Sequence, residues 1–492
     1  MKFIDSTLNE VDASVKLSEK AFQDYKTVDA KKRAAFLLAI ADEIEALGNE
    51  LVTTAMRETN LPEGRIIGER GRTTGQCRMY ANLIEEGSWV EARIDTALPD
   101  RLPLPKPDIR KMLVPLGPIV VFGAANFPLA YSTAGGDTIS ALASGCTVIV
   151  KAHPAHPETS ALVAGAIENA RIKEDIPANV FIHLYGADFQ VGKALVEHSL
   201  VKAVGFTGSF AGGKALFDIA NKRPTPIPVF AEMSSINPAV LLPNTLASDA
   251  ENWAQKLASS LTLNVGQFCT SPGLLIGVKD EHLDKFIAAL TKAIEGVLPG
   301  HMLHSGISSN YSRKAEQALS QPSVTKLSKP EQELVTQQGT PILASVPASE
   351  FLKNPLLEEE VFGPFALIVE CRDKDQMVSV IEYLQGQLTA TVIGNADELI
   401  HNKDVINLIS QKAGRLIVNG VPTGVEVCPS MNHGGPFPAS SDSRFTSVGI
   451  DAIKRFVRPL AFQNFPQSLL PKELQDENPL GIWRLFNNEW RK

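Results

Sequence analysis

The spacing of apolar residues changes along the chain. From about residue 11 to residue 80, apolar residues recur at i, i+3, i+4 and i+7 between charged positions, most clearly in "VDAKKRAAFLLAIADEIEALGNELVTTAMRET", and this period predicts a layer of helices. From Pro118 onwards, short β-branched runs such as "PIVVFGA", "CTVIVKA" and "VKAVGFTG" alternate with helical stretches. This alternation predicts an α/β fold with a doubly wound parallel sheet.

Two further stretches complete this outline. A second α/β region begins near Pro238 and extends to "GRLIVNG", and a chain of 492 residues is too long for one hydrophobic core. The proline-rich segment 95–115 predicts an extended arm or hairpin, because proline removes hydrogen-bond donors from a strand ladder.

Charge and composition exclude several classes of partner. The 47 basic and 55 acidic residues give a net charge of −8, which opposes binding to nucleic acid or to an anionic membrane surface. The amino-terminal sequence lacks the apolar region of a secretory signal, and the longest apolar runs are interrupted by proline and glycine. We therefore expect a soluble, cytoplasmic protein without a nucleic-acid or membrane partner.

The cysteines and histidines predict neither a disulfide framework nor a metal site. The five cysteines are widely spread, without a C-x-x-C pair. His153 and His156 flank prolines that interrupt the helix needed to align them as ligands. We predict no bound metal.

Cys269, in "NVGQFCTSPG", is the cysteine with nucleophile-like surroundings. It follows a predicted helix and lies in a loop with glycine and proline, where free backbone N–H groups can stabilise an oxyanion. Free cysteine is also among the most buried residue types. Taken alone, the motif fits a nucleophile and a small core residue equally well.

Other candidates follow predicted strands. "VGFTGSFAGGKAL" places Gly208, Ser209 and Gly213 in a strand-to-helix turn that can approach a phosphate. Glu232 ends an apolar run and is a candidate general base if burial raises its pKa towards neutrality; base rates alone favour a solvated carboxylate. Asn126 is either an oxyanion donor or a turn residue. Lys151 is either a ligand of a ribose or phosphate group or a solvated residue at the end of a strand.

The ordered motifs "NFP", "VIVKAH", "FTGS", "GQFC" and "EVFGP" resemble those of the aldehyde dehydrogenase superfamily over nearly the whole chain. The resemblance implies a nucleotide-binding domain at 1–95 and 116–236, a catalytic domain at 237–436, and an oligomerisation arm with a carboxyl-terminal tail at 96–115 and 437–492. A homodimer or homotetramer is expected.

The resemblance also implies a role for each candidate. Cys269 is the expected nucleophile, Glu232 the general base, and Asn126 an oxyanion donor together with the Cys269 amide. Lys151 is the expected ribose ligand, and Gly208, Ser209 and Gly213 form the pyrophosphate turn. Glu360 and Phe362 are expected to hold the nicotinamide ribose and ring.

The expected cofactor is NADP, with NAD possible. Many NAD-preferring members of the superfamily carry glutamate three residues after the lysine, whereas this chain has Pro154 there. Without that carboxylate, a 2′-phosphate meets no repulsion.

Longer phrases, including "NGVPTGVEVCPSMNHGGPFPASSDSRFTSVG", resemble the branch that oxidises 2,5-dioxopentanoate (2-oxoglutarate semialdehyde). The basic residues expected to bind the far carboxylate come from one predicted helix: Arg65, Arg70, Arg72 and Arg78. Of these we assign Arg70 and Arg72 to the substrate, with Phe127 and His433. A related branch oxidises fatty aldehydes and requires an apolar tunnel instead.

Two alternatives belong to other classes. A catalytically silent binding protein with the same fold would be expected to have lost Cys269 or Glu232, and both are present. A cysteine hydrolase would pair Cys269 with a histidine; no histidine lies near Cys269 in the sequence, and the sequence leaves open whether the fold brings one close. It would also leave the glycine turn and Glu360 without a purpose.

Overall fold

The computed structural model describes residues 3–329 and 336–492. Its α-helices are α1 (Leu8–Tyr25), α2 (Ala30–Ala46), α3 (Gly48–Thr59), α4 (Glu63–Glu86), α5 (Gly136–Ser144), α6 (Pro157–Lys173), α7 (Phe189–Glu197), α8 (Phe210–Asn221), α9 (Pro243–Thr262), α10 (Glu281–Glu295), α11 (Ser305–Leu319), α12 (Ala348–Phe351), α13 (Lys374–Tyr383), α14 (Ala396–His401) and α15 (Lys403–Ser410). No helix in the described ranges is long and apolar enough to cross a membrane.

The strands form three large sheets and one small ribbon. They are β1 (Arg93–Asp95), β2 (Ile109–Pro115), β3 (Ile119–Phe122), β4 (Val148–Lys151), β5 (Phe181–Leu184), β6 (Ala203–Thr207), β7 (Val229–Glu232), β8 (Ala239–Leu241), β9 (Leu274–Val278), β10 (Gly300–His301), β11 (Thr325–Lys326), β12 (Gln338–Gly339), β13 (Ile342–Pro347), β14 (Phe365–Cys371), β15 (Gln387–Ile393), β16 (Ala413–Val418), β17 (Val457–Gln463), β18 (Arg484–Phe486) and β19 (Glu489–Arg491).

The predicted helical layer is confirmed as α1 to α4. Thr7 accepts a hydrogen bond from the Glu10 amide, and Glu10 reaches back to Thr7, so α1 begins with a capping box. Asp29 caps α2 through the Lys32 amide. The apolar faces of α2 to α4 and the carboxyl-terminal end of α1 are buried in one core with β3 and β4, whereas Val11 and Val15 of α1 pack in the cluster on the other face of the first sheet.

The first sheet has the strand order β5-β4-β3-β6-β7, and all its pairs are parallel. Separate hydrophobic clusters cover its two faces, which confirms the predicted doubly wound arrangement. The chain direction across the sheet reverses between β3 and β6. In sheets of this kind, ligands bind beyond the carboxyl ends of the strands at that reversal.

The second sheet has the order β11-β13-β14-β9-β8-β15-β16. Its pairs are parallel apart from β11 with β13. Apolar clusters cover both faces here as well. This sheet is the second α/β region indicated by the sequence.

A third sheet, the arm sheet, has the order β17-β2-β1-β18-β19. β1 and β2 pair antiparallel, with Arg93 opposite Lys111, so the proline-rich segment between them closes the predicted hairpin. The aromatic tail supplies β18 and β19. Leu474 and Ile482 from the tail are buried in the same core as the helical layer.

One irregular segment joins the first two sheets. We call residues 428–449 the bridging segment. The Met233 amide, just after β7, donates to the Ala439 carbonyl at 2.8 Å, and the Gly386 amide, before β15, donates to the Phe437 carbonyl at 3.2 Å. The segment therefore fixes side chains between the carboxyl ends of the first sheet and the second sheet.

Candidate active site

The Cys269 loop is held in a constrained conformation between the two sheets. Helix α9 gives way to a short turn in which Val265 has φ 58°, a left-handed value that is unusual for a β-branched residue. Gly266 also has positive φ, and a Cβ there would lie 2.5 Å from the Gly363 backbone. The Asn237 side-chain amide donates to the Cys269 carbonyl at 2.9 Å. These contacts fix the position of the Cys269 backbone.

Cys269, His433 and Glu232 meet at the end of this loop, and we call them the thiol centre. The Cys269 Sγ lies 3.5 Å from His433 Nε2, and that nitrogen lies 3.1 Å from Glu232 Oε1. The Ser447 hydroxyl donates to Glu232 Oε2 at 2.7 Å. The His433 and Glu232 side chains are only 1% and 4% exposed. A nucleophile and two proton acceptors are thus within reach of one another in a nearly dry site.

Burial and charge set the protonation of this centre. Burial and the neighbouring Glu232 carboxylate raise the pKa of the Cys269 thiol well above its usual value. Burial also acts to raise the pKa of Glu232, but the His433 charge and hydrogen bonds from His433, Ser447 and Cys269 outweigh it, so that pKa is lowered. Burial thus acts in the direction that the sequence interpretation required, and the partners of Glu232 reverse it. These directions favour a carboxylate on Glu232 and a protonated thiol on Cys269, which needs a proton acceptor.

His433, which the sequence interpretation assigns to the substrate, contacts both Cys269 Sγ and Glu232 Oε1 through its Nε2. It lies 164 positions from Cys269, so spacing gave no signal. Its two neighbouring glycines were the available signal: a Cβ on Gly434 would lie 2.8 Å from the Phe445 carbonyl oxygen, and one on Gly435 2.1 Å from that of Gln387. Glycine at these two positions allows the bridging segment to pack closely beside the thiol centre.

Asn126 follows β3 and reaches the Cys269 loop. Its Nδ2 donates to the Gln267 carbonyl at 3.2 Å, two residues before the nucleophile. Phe127 is buried next to it, with its ring 5.1 Å from that of Tyr131 and 5.9 Å from that of Phe268. Asn126 and Phe127 therefore both lie next to the Cys269 loop.

The four arginines proposed from α4 have different surroundings. Arg72 donates to the Tyr131 hydroxyl at 3.0 Å and lies over the Phe127 and Tyr131 rings. Its Nε is buried without a hydrogen-bond partner among the described residues. The positive charge of Arg72 acts to lower the pKa of Cys269. Arg72 is thus oriented towards the thiol centre.

The other three are engaged elsewhere. Arg65 pairs with Glu69 at 2.6 Å and covers the Phe127 ring. Arg70 donates to the Gly48 carbonyl at 2.8 Å, and Arg78 pairs on the surface with Asp42 and Glu45. The structure does not bring Arg70 into the site.

Sequence reasoning missed Arg415, at the start of β16. Burial lowers the pKa of its guanidinium, while the Cys269 and Tyr131 side chains act in the opposite direction. Two of its nitrogens donate to the Pro422 and Gly424 carbonyls, and its Nε is buried without a partner in the described part of the chain. A second cation, on the second sheet, is therefore within electrostatic range of Cys269 and Tyr131.

The predicted pyrophosphate turn lies beyond β6 at the reversal of the first sheet. Ser209 caps α8 by accepting from the Gly212 amide at 3.3 Å, and the amino terminus of α8 is exposed. A Cβ on Gly213 would lie 2.7 Å from the Met233 side chain, and one on Gly208 2.8 Å from the Phe206 ring. Glycine permits the close approach of α8 to β7, and the exposed helix terminus suits an anion.

Lys151 and Pro154 mark the other side of this crevice. Lys151 ends β4, and burial lowers the pKa of its ammonium group. Pro154 is exposed in the following turn. Next to it, the His153 ring stacks on that of His156 with centroids 5.2 Å apart, and the His156 Nε2 is bonded to the Ala124 carbonyl.

Glu360 and Phe362 line a small pocket together with Ser235 and Phe268. Burial raises the pKa of the Glu360 carboxyl to about 7, against hydrogen bonds from Ser234 and the Ser235 amide. Phe268 connects this pocket to the Cys269 loop. The chemistry of these donors and acceptors fits a nucleotide: a helix terminus for phosphates, a lysine and a carboxylate for hydroxyls, and an aromatic ring for a flat base.

Comparisons with known proteins agree with this picture. The sequence profile described as "Aldehyde dehydrogenase family" matches residues 1–437. The chain is 50% identical over 476 residues to alpha-ketoglutaric semialdehyde dehydrogenase 2 of Azospirillum brasilense, covering 97% of this chain and 91% of that one. It is 46% identical over 486 residues to alpha-ketoglutaric semialdehyde dehydrogenase of Acinetobacter baylyi, covering 99% and 92%.

Solved structures show the same fold. The chain superposes on 1-pyrroline-5-carboxylate dehydrogenase from Thermus with bound NAD with a TM-score of 0.78 and 20% identity, covering 94% of this chain and 86% of that one. The overall α/β architecture is therefore shared with this enzyme.

Proposed function

Because the chain belongs to the aldehyde dehydrogenase family, we propose that it oxidises 2,5-dioxopentanoate to 2-oxoglutarate through a thioester on Cys269. The observation that carries this proposal is the convergence of Cys269, Glu232 and Asn126 at the end of a crevice suited to a nucleotide. The names of the two relatives with about half their residues identical support the substrate.

The chain's residues support each step. Cys269 attacks the aldehyde carbon while its thiol proton passes to the His433–Glu232 pair. Asn126 Nδ2 and the Cys269 amide hold the resulting oxyanion. The chemistry that a bound nicotinamide supplies is acceptance of a hydride. Once the pair has given the thiol proton to solvent, Glu232 takes a proton from water, and the water oxygen attacks the thioester carbon. The Cys269 thiolate leaves and the acid is released.

We propose Arg72 as the ligand of the substrate's far carboxylate, with Arg415 adding positive potential. Arg72 has an unpaired buried nitrogen and lies over the aromatic wall next to Cys269. A guanidinium binds a carboxylate in a bidentate manner and is costly to bury next to an aliphatic chain. The two arginines therefore favour a dicarbonyl acid over a fatty aldehyde.

The family uses NAD or NADP, and we propose NADP as the preferred cofactor here. Lys151, the α8 terminus with Gly208, Ser209 and Gly213, and Glu360 with Phe362 are the residues that would hold it. Pro154 carries no charge to repel a 2′-phosphate, and the end of β4 has Lys151 as its cation.

We further propose the domain division given by the sequence, with the arm serving a homodimer or homotetramer. β17 and β19 form the edges of the arm sheet and β16 an edge of the second sheet. Leu416 and Val418 on β16 and Trp490 on β19 are exposed, and exposed apolar edge strands favour pairing with another chain. Light scattering coupled to gel filtration tests this assembly.

The decisive experiment measures kcat/KM for 2,5-dioxopentanoate, glutaraldehyde, hexanal and decanal with NADP and NAD. We expect preference for the dioxo acid. Arg72→Met should lower that preference by about 10- to 100-fold through KM, since a hydrogen bond to a charged group contributes about 1.5–3 kcal/mol. Arg78→Met, which removes a surface guanidinium from the same helix, is the matched control. Preference for decanal in the wild type would indicate a fatty aldehyde enzyme.

A further inference from the structure

The three side chains of the thiol centre have the spacing of a zinc site. One ligand atom from each of Glu232, Cys269 and His433 lies within 4.8 Å of the others. Typical bond lengths in a tetrahedral zinc site separate a thiolate sulfur from an imidazole nitrogen by about 3.6 Å, and that nitrogen from a carboxylate oxygen by about 3.3 Å. The corresponding distances here are 3.5 and 3.1 Å, so little movement is needed to surround a cation.

The ligand atoms contact one another, and a cation would replace these mutual contacts. Glu232 Oε2 is held by Ser447, whereas Oε1 lies 3.1 Å from His433 Nε2, another of the proposed ligand atoms. Ligation through His433 Nε2 leaves the ring proton on Nδ1, which has no partner among the described residues. Metal-bound histidines usually donate that proton to a second group. The absence of such an acceptor for the Nδ1 proton predicts that the metal binds with modest affinity and reversibly.

We propose that Zn²⁺ binds reversibly to Cys269, His433 and Glu232 and switches the enzyme off. The Cys269 thiol loses its proton to solvent as the sulfur–zinc bond forms, and the thiolate and carboxylate together neutralise the two positive charges. Three protein ligands leave a fourth position for water. The nucleophile and the general base are both occupied, so aldehyde oxidation stops until the metal is removed.

Other clustered ligands in the structure make a less suitable site. The His153, His156 and His304 rings are neighbours, with His153 centred 5.2 Å from His156 and 6.2 Å from His304. The His156 Nε2 is committed to the Ala124 carbonyl. In the described ranges, only the thiol centre brings three ligand atoms of this kind together.

The test uses the full-length protein after treatment with a chelator. Co²⁺, which takes the same ligands, should give the near-ultraviolet charge-transfer absorption of a cobalt–thiolate bond at one equivalent, and Zn²⁺ should displace it. Cys269→Ser should abolish this band. His433→Ala should weaken cobalt binding by at least about tenfold, since even loss of a group behind a ligand costs that much. Circular dichroism checks that each variant is folded.

Two control variants make the result specific. Cys428→Ser removes another partly exposed thiol, and His304→Gln removes a ring from the competing cluster; both should keep the band. A band that survives Cys269→Ser, disappears in either control, or never forms in the wild type would overturn the proposal.

The inhibition rests on the proposed function, whereas the cobalt band does not. Aldehyde oxidation should fall with added Zn²⁺ and return with chelator. A protein that binds cobalt at Cys269 but does not oxidise 2,5-dioxopentanoate would contradict the proposed function alone. An active dehydrogenase without the band would contradict the zinc site alone.

Discussion

The glycine turn on the cofactor side and the thiol centre are built in different ways. The glycine turn comes from one continuous stretch, β6 to α8, whose turn and cap are local. The thiol centre takes Glu232 from the end of β7, Cys269 from a loop before β9, and His433 from the bridging segment. Local sequence specifies the first region. The second depends on the two sheets being docked, so substitutions there should have the larger effects.

The largest effect is expected for Glu232→Gln. The amide keeps the shape of the side chain but cannot accept a proton from water, so the thioester should accumulate after a single burst of reduced cofactor. Steady-state kcat should fall by about 10²- to 10⁴-fold. Stopped-flow absorbance of the reduced cofactor measures burst and steady state together. Steady-state turnover equal to that of the wild type would remove Glu232 from the role of base.

His433→Gln tests whether the thiol centre needs its inserted histidine. Because burial and Glu232 raise the pKa of Cys269, the thiol without its neighbour should lose its proton mainly to solvent. We expect kcat/KM to fall by about 100-fold at neutral pH and to recover as pH rises, since the thiolate fraction grows towards the raised pKa. The pH profile of kcat/KM measures this. A profile parallel to that of the wild type would leave His433 a purely structural role.

A smaller effect is expected on the cofactor side, for Glu360. Burial raises its pKa to about 7, so the carboxylate that accepts ribose hydroxyls is present above that pH and lost as pH falls through it. The Kd for NADP should therefore rise by about tenfold between about pH 8 and pH 6. In Glu360→Gln this dependence should vanish. Fluorescence titration with NADP gives both curves, and an equally steep curve for the variant would assign the titration to another group.

The smallest effect is expected for Pro154→Glu, at an exposed turn. A carboxylate there should repel the 2′-phosphate and accept from ribose hydroxyls, shifting the ratio of kcat/KM for NADP over NAD towards NAD by about tenfold. Pro154→Gln is the neutral control and should shift the ratio less. If the wild type and both variants had equal NADP-to-NAD ratios of kcat/KM, residues other than Pro154 would discriminate between the two cofactors.

The helical layer, the first sheet and their order could be predicted from the sequence alone. The change of apolar period near Pro118 predicted helices followed by a doubly wound sheet, and α1 to α4 and the first sheet agree with it, because these periods follow from local backbone geometry. Family motifs directed attention to Cys269, Glu232 and Asn126, which the structure brings together. These residues lie at strand ends or in turns, where short motifs are informative.

Only the tertiary structure decided how the site is completed. The insertion of His433 depends on the bridging segment packing against both sheets, and the choice of Arg72 over Arg70 depends on which way each faces from α4. Arg415 enters from an edge strand that carries no motif. The lowered pKa of Glu232 follows chiefly from His433 and Ser447, both more than 200 positions away along the chain. Contacts of this kind arise from docking of distant segments, which local periodicity does not encode.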